Sequence, residues 1–110
     1  MADAQSILLT SVANDVLILT VTIPTIDADH AIDLKVQFAR ALESAPANVR
    51  AVRLEVSEVL AMSSRGFETL LHLHTSCRDR GIPLTLSKLT PIFHKLLERM
   101  GFLRLFTVDA

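Results

Sequence analysis

Two adjacent serines, Ser63 and Ser64, are the residues of this chain whose position best suits a chemical switch. They follow a strand-like run, residues 52–56, and a short loop, and Gly66 and a helical pattern come directly after them. Backbone N–H groups at a helix start lack intrahelical partners, and the helix dipole favours negative charge there. A phosphate on a hydroxyl at this place would change the local charge by about −1.5 to −2. The same serines also suit the plainer role of helix cap, which serine fills at many helix starts.

Histidine, cysteine and acidic side chains elsewhere do not form a pattern typical of a catalytic or metal site. His72 and His74 are two residues apart on a predicted helix, whereas paired helical ligands are four apart. Cys77 has a helical spacing that fits burial and no His and Asn nearby in sequence. Glu55 and Glu58 flank a strand end, where a solvated loop edge is a more common arrangement than a catalytic pair. We therefore expect no enzyme activity, no metal and no cofactor.

Composition is typical of a small domain from a reducing compartment. The 110 residues predict a single domain, residues 1–110, and a chain of this length buries about 65% of its unfolded surface. The single cysteine cannot form an internal disulfide, and no signal peptide is visible, which favours a cytoplasmic protein. The net charge is −1 and Trp and Tyr are absent, so we expect no nucleic-acid partner. No run reaches the roughly 18 apolar residues of a membrane span, so we expect no direct membrane insertion.

Hydrophobic periodicity predicts five strands and three helices in the order β-β-α-β-α-β-α-β. The strands are expected at residues 7–10, 16–23, 52–56, 83–86 and 105–108. The helices should begin near residues 25–29, near Ser64 and at Thr90, where Thr90 and Pro91 supply a cap followed by proline. Strand–helix alternation after an opening hairpin predicts an α/β fold with a mixed, mostly parallel sheet and helices packed against it. The first strand should lie at or near an edge.

The helical stripes also predict which side chains are buried. The expected core residues on the three helices are Phe38, Leu42, Leu70, Leu71, Leu96 and Leu97. The inward face of the second helix should carry Phe67, Leu70, Leu71, His74 and either Cys77 or Arg78. Gly81 and Gly101 are each expected just past a helix end, because glycine suits the left-handed conformation that commonly ends a helix.

Two segments of the chain resemble the STAS domain family, which is named for sulphate transporters and anti-sigma factor antagonists. The family has a strand, then the motif Asp-Ser/Thr-X-Gly, then an apolar helix. This pattern is similar to residues 52–59 followed by Met62-Ser63-Ser64-Arg65-Gly66-Phe67. The family's late strand, leucine-containing helix and closing strand are similar to residues 83–87, 92–102 and 105–106. The resemblance covers nearly the whole chain and implies a STAS-like α/β fold.

Carried over residue by residue, the resemblance implies a role for each position in the loop. Ser63 stands where the family usually has Asp, Ser64 stands at the phosphoacceptor hydroxyl, and Gly66 matches the family's glycine. Arg65 stands at the variable position and adds a cation that could pair with a phosphate. The implied partner-binding surface comprises Met62, Ser63, Ser64, Arg65 and Gly66, with Met62 as an adaptable apolar contact.

The resemblance also implies a class of function. Small anti-sigma factor antagonists of this family bind an anti-sigma factor that is a serine kinase of the partner-switching type. Phosphorylation of the acceptor serine ends that binding, and a phosphatase restores it. The chain is thus expected to be a cytoplasmic, non-enzymatic, protein-binding regulator of bacterial transcription. Two alternatives stay open: a STAS subunit of a lipid-transport ABC complex, where the hydroxyl is a contact, and a stressosome-like scaffold that assembles with other STAS proteins.

Overall fold

The computed structural model describes residues 6–109. Its strands are β1 (Leu8–Ala13), β2 (Val16–Val21), β3 (Thr25–Ile26), β4 (Ala51–Glu55), β5 (Ala61–Met62), β6 (Leu84–Ser87) and β7 (Thr107–Val108). Its helices are α1 (Ala28–Ser44), α2 (Ser64–Asp79) and α3 (Pro91–Arg99), and a 3₁₀ turn (Phe102–Arg104) precedes β7. The main sheet has the order β1-β2-β4-β6-β7, in which β1 is antiparallel to β2 and the other neighbours are parallel. The predicted α/β fold with a mixed, mostly parallel sheet is confirmed.

A two-residue turn sets the register of the opening hairpin. Asn14 and Asp15 have φ values of 52° and 65°, and Asn and Asp tolerate this left-handed region better than most other residues. The turn places Ala13 opposite Val16, from which the β1–β2 pairing continues along the whole of β1. β1 forms an edge of the main sheet, as predicted, and is longer than the predicted strand at residues 7–10.

The hydrophobic core lies on one face of the main sheet. A row of fully buried leucines crosses three neighbouring parallel strands at Leu19, Leu54 and Leu86. The row directly before it is half-buried or exposed and consists of Ile18, Arg53 and Thr85. Because successive side chains of a strand point to opposite faces, the helices cover only the face that carries the leucines.

The predicted core residues are only partly confirmed. Four of them are buried, namely Phe38, Leu42, Leu70 and Leu97. Leu71 and Leu96 are half-buried and pack at the margin of the core, so the prediction of full burial is wrong for these two. On α2 the inward stripe continues through Leu73, which is 1% exposed. Leu71 is two residues from Leu73 and so lies about 200° away from it around the helix.

Two short strands and the end of the chain differ from the predicted elements. β3 and β5 form a separate parallel pair, and with two residues each they are too short to show any periodicity. β7 is shorter than the predicted strand at 105–108, because the 3₁₀ turn continues the chain from α3 through Arg104. Gly81 and Gly101 have φ values of 70° and 77°, so both occupy the predicted left-handed position after a helix.

Replacing Leu73 by Ala should lower the free energy of unfolding by about 2–5 kcal/mol, because the change leaves a cavity in the core. Leu71→Ala should cost less, since part of this side chain is already in contact with water. Ile32→Ala is the control, because Ile32 is 60% exposed, and it should change stability by no more than about 0.5 kcal/mol. Urea unfolding of the three variants measures the differences. Equal losses at Leu71 and Leu73 would contradict the inward face assigned to α2.

Candidate functional site

Three loops meet at the end of the main sheet where its parallel strands terminate. They follow β2, β4 and β6, and they lead into α1, α2 and α3. Each of these helices begins with a capping side chain, whose oxygen accepts a hydrogen bond from a backbone N–H of the first turn. The capping residues are Asp27 for α1, Ser63 for α2 and Thr90 for α3. A rigid sheet thus holds three loops and three helix N-termini side by side, an arrangement in which binding residues are often found.

The loop before α2 is held by main-chain hydrogen bonds to the loop before α1. The N–H groups of Leu60 and Ala61 both donate to the carbonyl oxygen of Pro24, at 2.8 and 3.1 Å. The N–H of Ser63 donates to the carbonyl oxygen of Ile26 at 2.8 Å. The short pair β3–β5 lies between these contacts. The segment immediately before α2 is therefore paired backbone rather than a free loop.

The loop before α3 is tied to the same segment. The Thr90 hydroxyl donates to the carbonyl oxygen of Val59 at 2.8 Å and accepts the N–H of Phe93 at 3.1 Å. Thr90 therefore caps α3, as predicted, and also joins that helix to the loop before α2. The rings of Phe67 and Phe93 stack with their centroids 6.4 Å apart, so α2 and α3 also contact each other directly behind the loops.

The two serines occupy different positions at the start of α2. Ser63 is the N-cap, with an extended backbone, and its hydroxyl oxygen accepts the N–H of Gly66 at 3.3 Å. Ser64 is the first residue of the helix and is exposed. Among residues 6–109, no hydrogen bond involves the Ser64 hydroxyl, and the first turn of α2 carries no acidic side chain. The hydroxyl predicted as phosphoacceptor is thus accessible. It lies beside the positive end of the helix dipole, and no acidic side chain in the first turn of α2 neutralises that end.

Met62 lies on the inner side of this helix start and is only 9% exposed. Gly66 leaves the space that the methionine fills, because a Cβ atom at position 66 would overlap Cγ of Met62. The same Cβ atom would also lie 3.1 Å from Sδ of Met62 and 3.2 Å from Cγ2 of Ile26. Met62 therefore fixes the loop to the core, and its burial does not fit the predicted role of an apolar contact at the surface. Arg65 is exposed and makes no ion pair within residues 6–109.

Two exposed apolar side chains near this site were not indicated by the sequence patterns. Leu60, in the loop before α2, is 45% exposed, and Ile92, at the second position of α3, is 61% exposed. Both lie within two residues of the Thr90–Val59 hydrogen bond. Ile92 has the helical spacing of the apolar face of α3, which Phe93, Leu96, Leu97 and Met100 continue. The pattern therefore predicts burial of Ile92, and the structure leaves this side chain exposed. The loop around Leu60 has no periodicity, so no local signal was available there.

The histidines and the cysteine of α2 do not form a reactive site. His72 is exposed, and the ring of His74 packs edge-on against Phe106 with centroids 5.4 Å apart. Burial raises the pKa of the Cys77 thiol to about 11, although the charge of Arg80 opposes the shift. The thiol therefore stays protonated and weakly reactive near neutral pH. Within the described part of the chain, no three His, Cys, Asp or Glu side chains are grouped to hold a metal ion.

The carboxylate of Glu55 is occupied by structural contacts. Its side chain is 15% exposed, accepts the Thr20 hydroxyl at 3.4 Å and lies 3.5 Å from Nζ of Lys88. Glu58 is exposed in the following loop. Glu55 therefore links three strand ends on the open face of the sheet.

None of the helices within residues 6–109 has both the length and the apolar character needed to cross a membrane.

Ser63→Ala should lower the free energy of unfolding by about 0.5–2 kcal/mol, because the Gly66 N–H loses its side-chain acceptor at the N-terminus of α2. Ser64→Ala is the matched control one residue along, and its effect should stay within about 0.5 kcal/mol. Thermal and urea unfolding of both variants measures the difference. A larger loss at Ser64 than at Ser63 would contradict the assignment of the cap.

Gly66→Ala should destabilise the protein by about 1–3 kcal/mol, since the new methyl group overlaps Met62. Without that overlap the change would be favourable by about 1 kcal/mol, because alanine is a better helix former than glycine. In a Met62→Ala background, Gly66→Ala should therefore become neutral or stabilising. The four proteins of this double-mutant cycle are compared by urea unfolding, and purely additive effects would argue against direct packing of the two residues.

Solved structures with low sequence identity share this fold. A candidate anti-sigma factor antagonist from Thermotoga maritima is 16% identical, with a TM-score of 0.80, and the alignment covers 94% of this chain and 86% of that chain. A sulfate transporter family protein from Wolinella succinogenes is 21% identical, with a TM-score of 0.70, covering 86% of this chain and 73% of that chain. The phosphorylated form of the Bacillus cell fate determinant SpoIIAA is 12% identical, with a TM-score of 0.66, covering 94% and 91%.

Comparison with curated proteins found no similar sequence. A family model, that of the STAS domain, matches residues 8–110. The matched range contains every strand and helix described above and the whole loop that carries the two serines. The chain therefore belongs to the STAS domain family.

Proposed function

We propose that this protein is a protein-binding regulator of the anti-sigma factor antagonist type, whose binding is switched by phosphorylation of Ser64. The observation that carries the proposal is the exposed, unengaged hydroxyl of Ser64 at the first position of a helix of 16 residues. Membership of the STAS family and the shared fold of the solved antagonist structures support it. The role is one of binding, and the serine is a substrate of the partner rather than a nucleophile of this chain.

The start of α2 is suited to a phosphate on Ser64. Free N–H groups and the helix dipole favour an anion at this place, and the exposed Arg65 offers a neighbouring cation. Ser63 already caps the helix through its own hydroxyl, so modification of Ser64 would leave that hydrogen bond in place. We therefore expect the fold to tolerate phosphorylation.

A bound partner would respond differently to the same phosphate. The exposed side chains of Leu60 and Ile92 give the three-loop end of the sheet an apolar component, and Ser64 lies on the same end. A dianion placed in an interface there would be desolvated or would meet unfavourable charges, which costs several kcal/mol. At about 1.4 kcal/mol per tenfold, a penalty of about 3 kcal/mol lowers affinity more than a hundredfold. Phosphorylation would then act as an off-switch for binding.

The partners expected for this role are a cytoplasmic anti-sigma factor that is also a serine kinase of the partner-switching type, and a phosphatase that removes the phosphate. Both follow from the family resemblance around Ser64 and Gly66. Pull-down with the unmodified protein, followed by mass spectrometry, identifies them. A kinase-like protein that binds the parent and phosphorylates Ser64 would support the proposal, whereas phosphate found on Ser63 would contradict it.

A second candidate function is that of a STAS subunit in a transporter complex of the lipid-transport ABC type. The structural similarity to a sulfate transporter family protein favours a transporter-associated role. In that case Ser64 would act as a contact, and no phosphorylation would be required. The same pull-down distinguishes the two, because a transport ATPase would be recovered in place of a kinase. Recovery of other STAS proteins would point instead to a stressosome-like scaffold.

Ser64→Asp and Ser64→Glu should leave the fold intact and weaken binding of the captured partner at least tenfold, because each places a negative charge in the interface. Ser64→Ala should bind as the parent does and should no longer respond to the kinase. Thr75→Asp is the matched control, since it adds the same charge at an exposed position of α2 far from its start. Calorimetric titration measures the affinities, with circular dichroism as the test of folding. Parent-like affinity of Ser64→Asp would overturn the proposed switch.

A further inference from the structure

Within residues 6–109, no strand pairs with the outer edge of β1. β1 has six residues with the sequence LLTSVA, and it contains neither a charged residue nor a proline. All of its residues after Leu8 are exposed, including Leu9 at 59% and Val12 at 43%. Proteins commonly block such edges with charges, prolines or very short strands, because free backbone groups pair readily with another strand. The opposite edge of the sheet, β7, has only two residues, so the exposed pairing capacity lies at β1.

The hairpin register shows which backbone groups of β1 face outward. Residues that flank a two-residue hairpin turn form a hydrogen-bonded pair, here Ala13 and Val16, and such pairs alternate along an antiparallel ladder. The hydrogen bond from the N–H of Thr22 to the carbonyl oxygen of Ile7, at 3.0 Å, lies in the same phase. The odd-numbered residues of β1 therefore bond to β2, and the even-numbered ones direct their N–H and C=O groups toward the open edge.

The three residues of β1 whose backbone N–H and C=O groups face the open edge are thus Leu8, Thr10 and Val12. The carbonyl oxygen of Leu8 accepts the Ser6 hydroxyl at 3.0 Å. For Thr10 and Val12, no hydrogen bond within residues 6–109 uses the outward N–H or C=O group. The same three side chains share the face of β1 that is turned toward the helices, because Leu8 is paired with the buried Val21.

A groove runs beside this edge on the helix side of the sheet. It has a volume of about 560 Å³, and both β1 and α1 line it. Leu8 and Thr10 contribute from the strand. The helix contributes Val36, which is 46% exposed, and two side chains of opposite charge, Asp33 and Arg40. A strand added to β1 would direct every second side chain into this groove, since its pleat would follow that of β1.

We propose that β1 pairs with β1 of a second copy of this chain, antiparallel, about a two-fold axis at Thr10. In this register Thr10 faces its counterpart, and Leu8 faces Val12 of the second copy, which places an apolar pair in each of the two grooves. All three facing positions carry backbone N–H and C=O groups that point outward, so the two edges can form hydrogen bonds with each other. Two identical edges can also meet without repulsion because neither bears a charge. The result would be a continuous sheet of ten strands, formed from the five of each copy.

Self-pairing of this kind predicts a weak dimer. A contact limited to one strand and one groove per copy is small beside the roughly 1,200–2,000 Å² that stable interfaces bury, so dissociation should fall in the micromolar range or above. The paired edge lies at the side of the sheet, whereas Ser64 lies at the end where the parallel strands terminate. The dimer is therefore independent of the proposed phosphorylation switch, and each proposal can fail without the other.

Sedimentation equilibrium of the full chain from micromolar to millimolar concentration tests the dimer. Thr10→Pro should abolish the dimer, because proline lacks the N–H group that faces the second copy. The substitution leaves the hydrogen bonds between β1 and β2 in place, since the N–H of Thr10 does not take part in them. Thr10→Val keeps that N–H and should dimerise as the parent does, as should Ile32→Lys, which adds a charge on α1 at an exposed position. Circular dichroism verifies folding, and if Thr10→Pro does not fold, Val12→Lys replaces it as the edge-blocking variant. A monomeric parent, or dimers that persist in a folded edge-blocked variant, would overturn the proposal.

Disulfide trapping tests the position of the axis. Thr10→Cys should form an intermolecular disulfide rapidly under mild oxidation, because residues facing each other in a hydrogen-bonded pair have Cα atoms about 5.5 Å apart. Ser11→Cys is the matched control, since its side chain points to the other face and faces Leu9 of the second copy. The native Cys77 is buried and does not interfere. Trapping of Ser11→Cys at the rate of Thr10→Cys would exclude this register.

Discussion

The hydrogen bonds among three loops at one end of the sheet decide where α2 begins. Eight residues separate the end of β4 from the start of α2, which is enough chain for a flexible connection. The carbonyl groups of Pro24 and Ile26 bind the second half of this connection as a short strand, and Thr90 holds Val59 from the other side. Pairing to neighbours that are themselves fixed to the sheet thus offsets part of the conformational entropy that is lost when the loop is ordered. The position of the Ser64 hydroxyl follows from that pairing.

Adjacent side chains of the loop point in different directions and have different roles, because the chain changes there from strand to helix. Met62 points inward and is buried, Ser63 uses its side chain to start the helix, and Ser64 is left outside. A modification or a partner at Ser64 therefore acts on a rigid support. Changes at Met62 or Gly66 would instead disturb the support, and their effects on binding would be indirect. Separating the two kinds of effect requires stability measurements beside every binding measurement.

The sequence was sufficient for those features that depend on local patterns. The order of the major strands and helices, the cap at Thr90 and the start of α2 near Ser64 all follow from periodicity and capping preferences, and the structure agrees. The distinction between Leu71 and Leu73 was not accessible in this way, because three leucines at 70, 71 and 73 define an apolar stripe whose margin depends on how the helix is rotated against the sheet.

The remaining differences arise from contacts between residues far apart in the chain. β3 and β5 exist because two segments whose paired residues are 36 positions apart in the chain lie side by side, which no local pattern encodes. The exposure of Leu60 and the burial of Met62 follow from the same pairing, so the surface of the candidate site differed from expectation even where its serines did not. The outward groups of β1 could be assigned only once the turn at Asn14 and Asp15 had fixed the register.

The close approach of Gly66 and Met62 has a consequence for how sequences of this kind can diverge. The two positions share one fixed volume beneath the start of α2, since the methionine fills the space that a side chain at 66 would need. A lineage can enlarge position 66 only after, or together with, a reduction at position 62. The two sites should therefore appear as a correlated pair in an alignment of homologues, in which a residue larger than glycine at position 66 accompanies a side chain smaller than methionine at position 62.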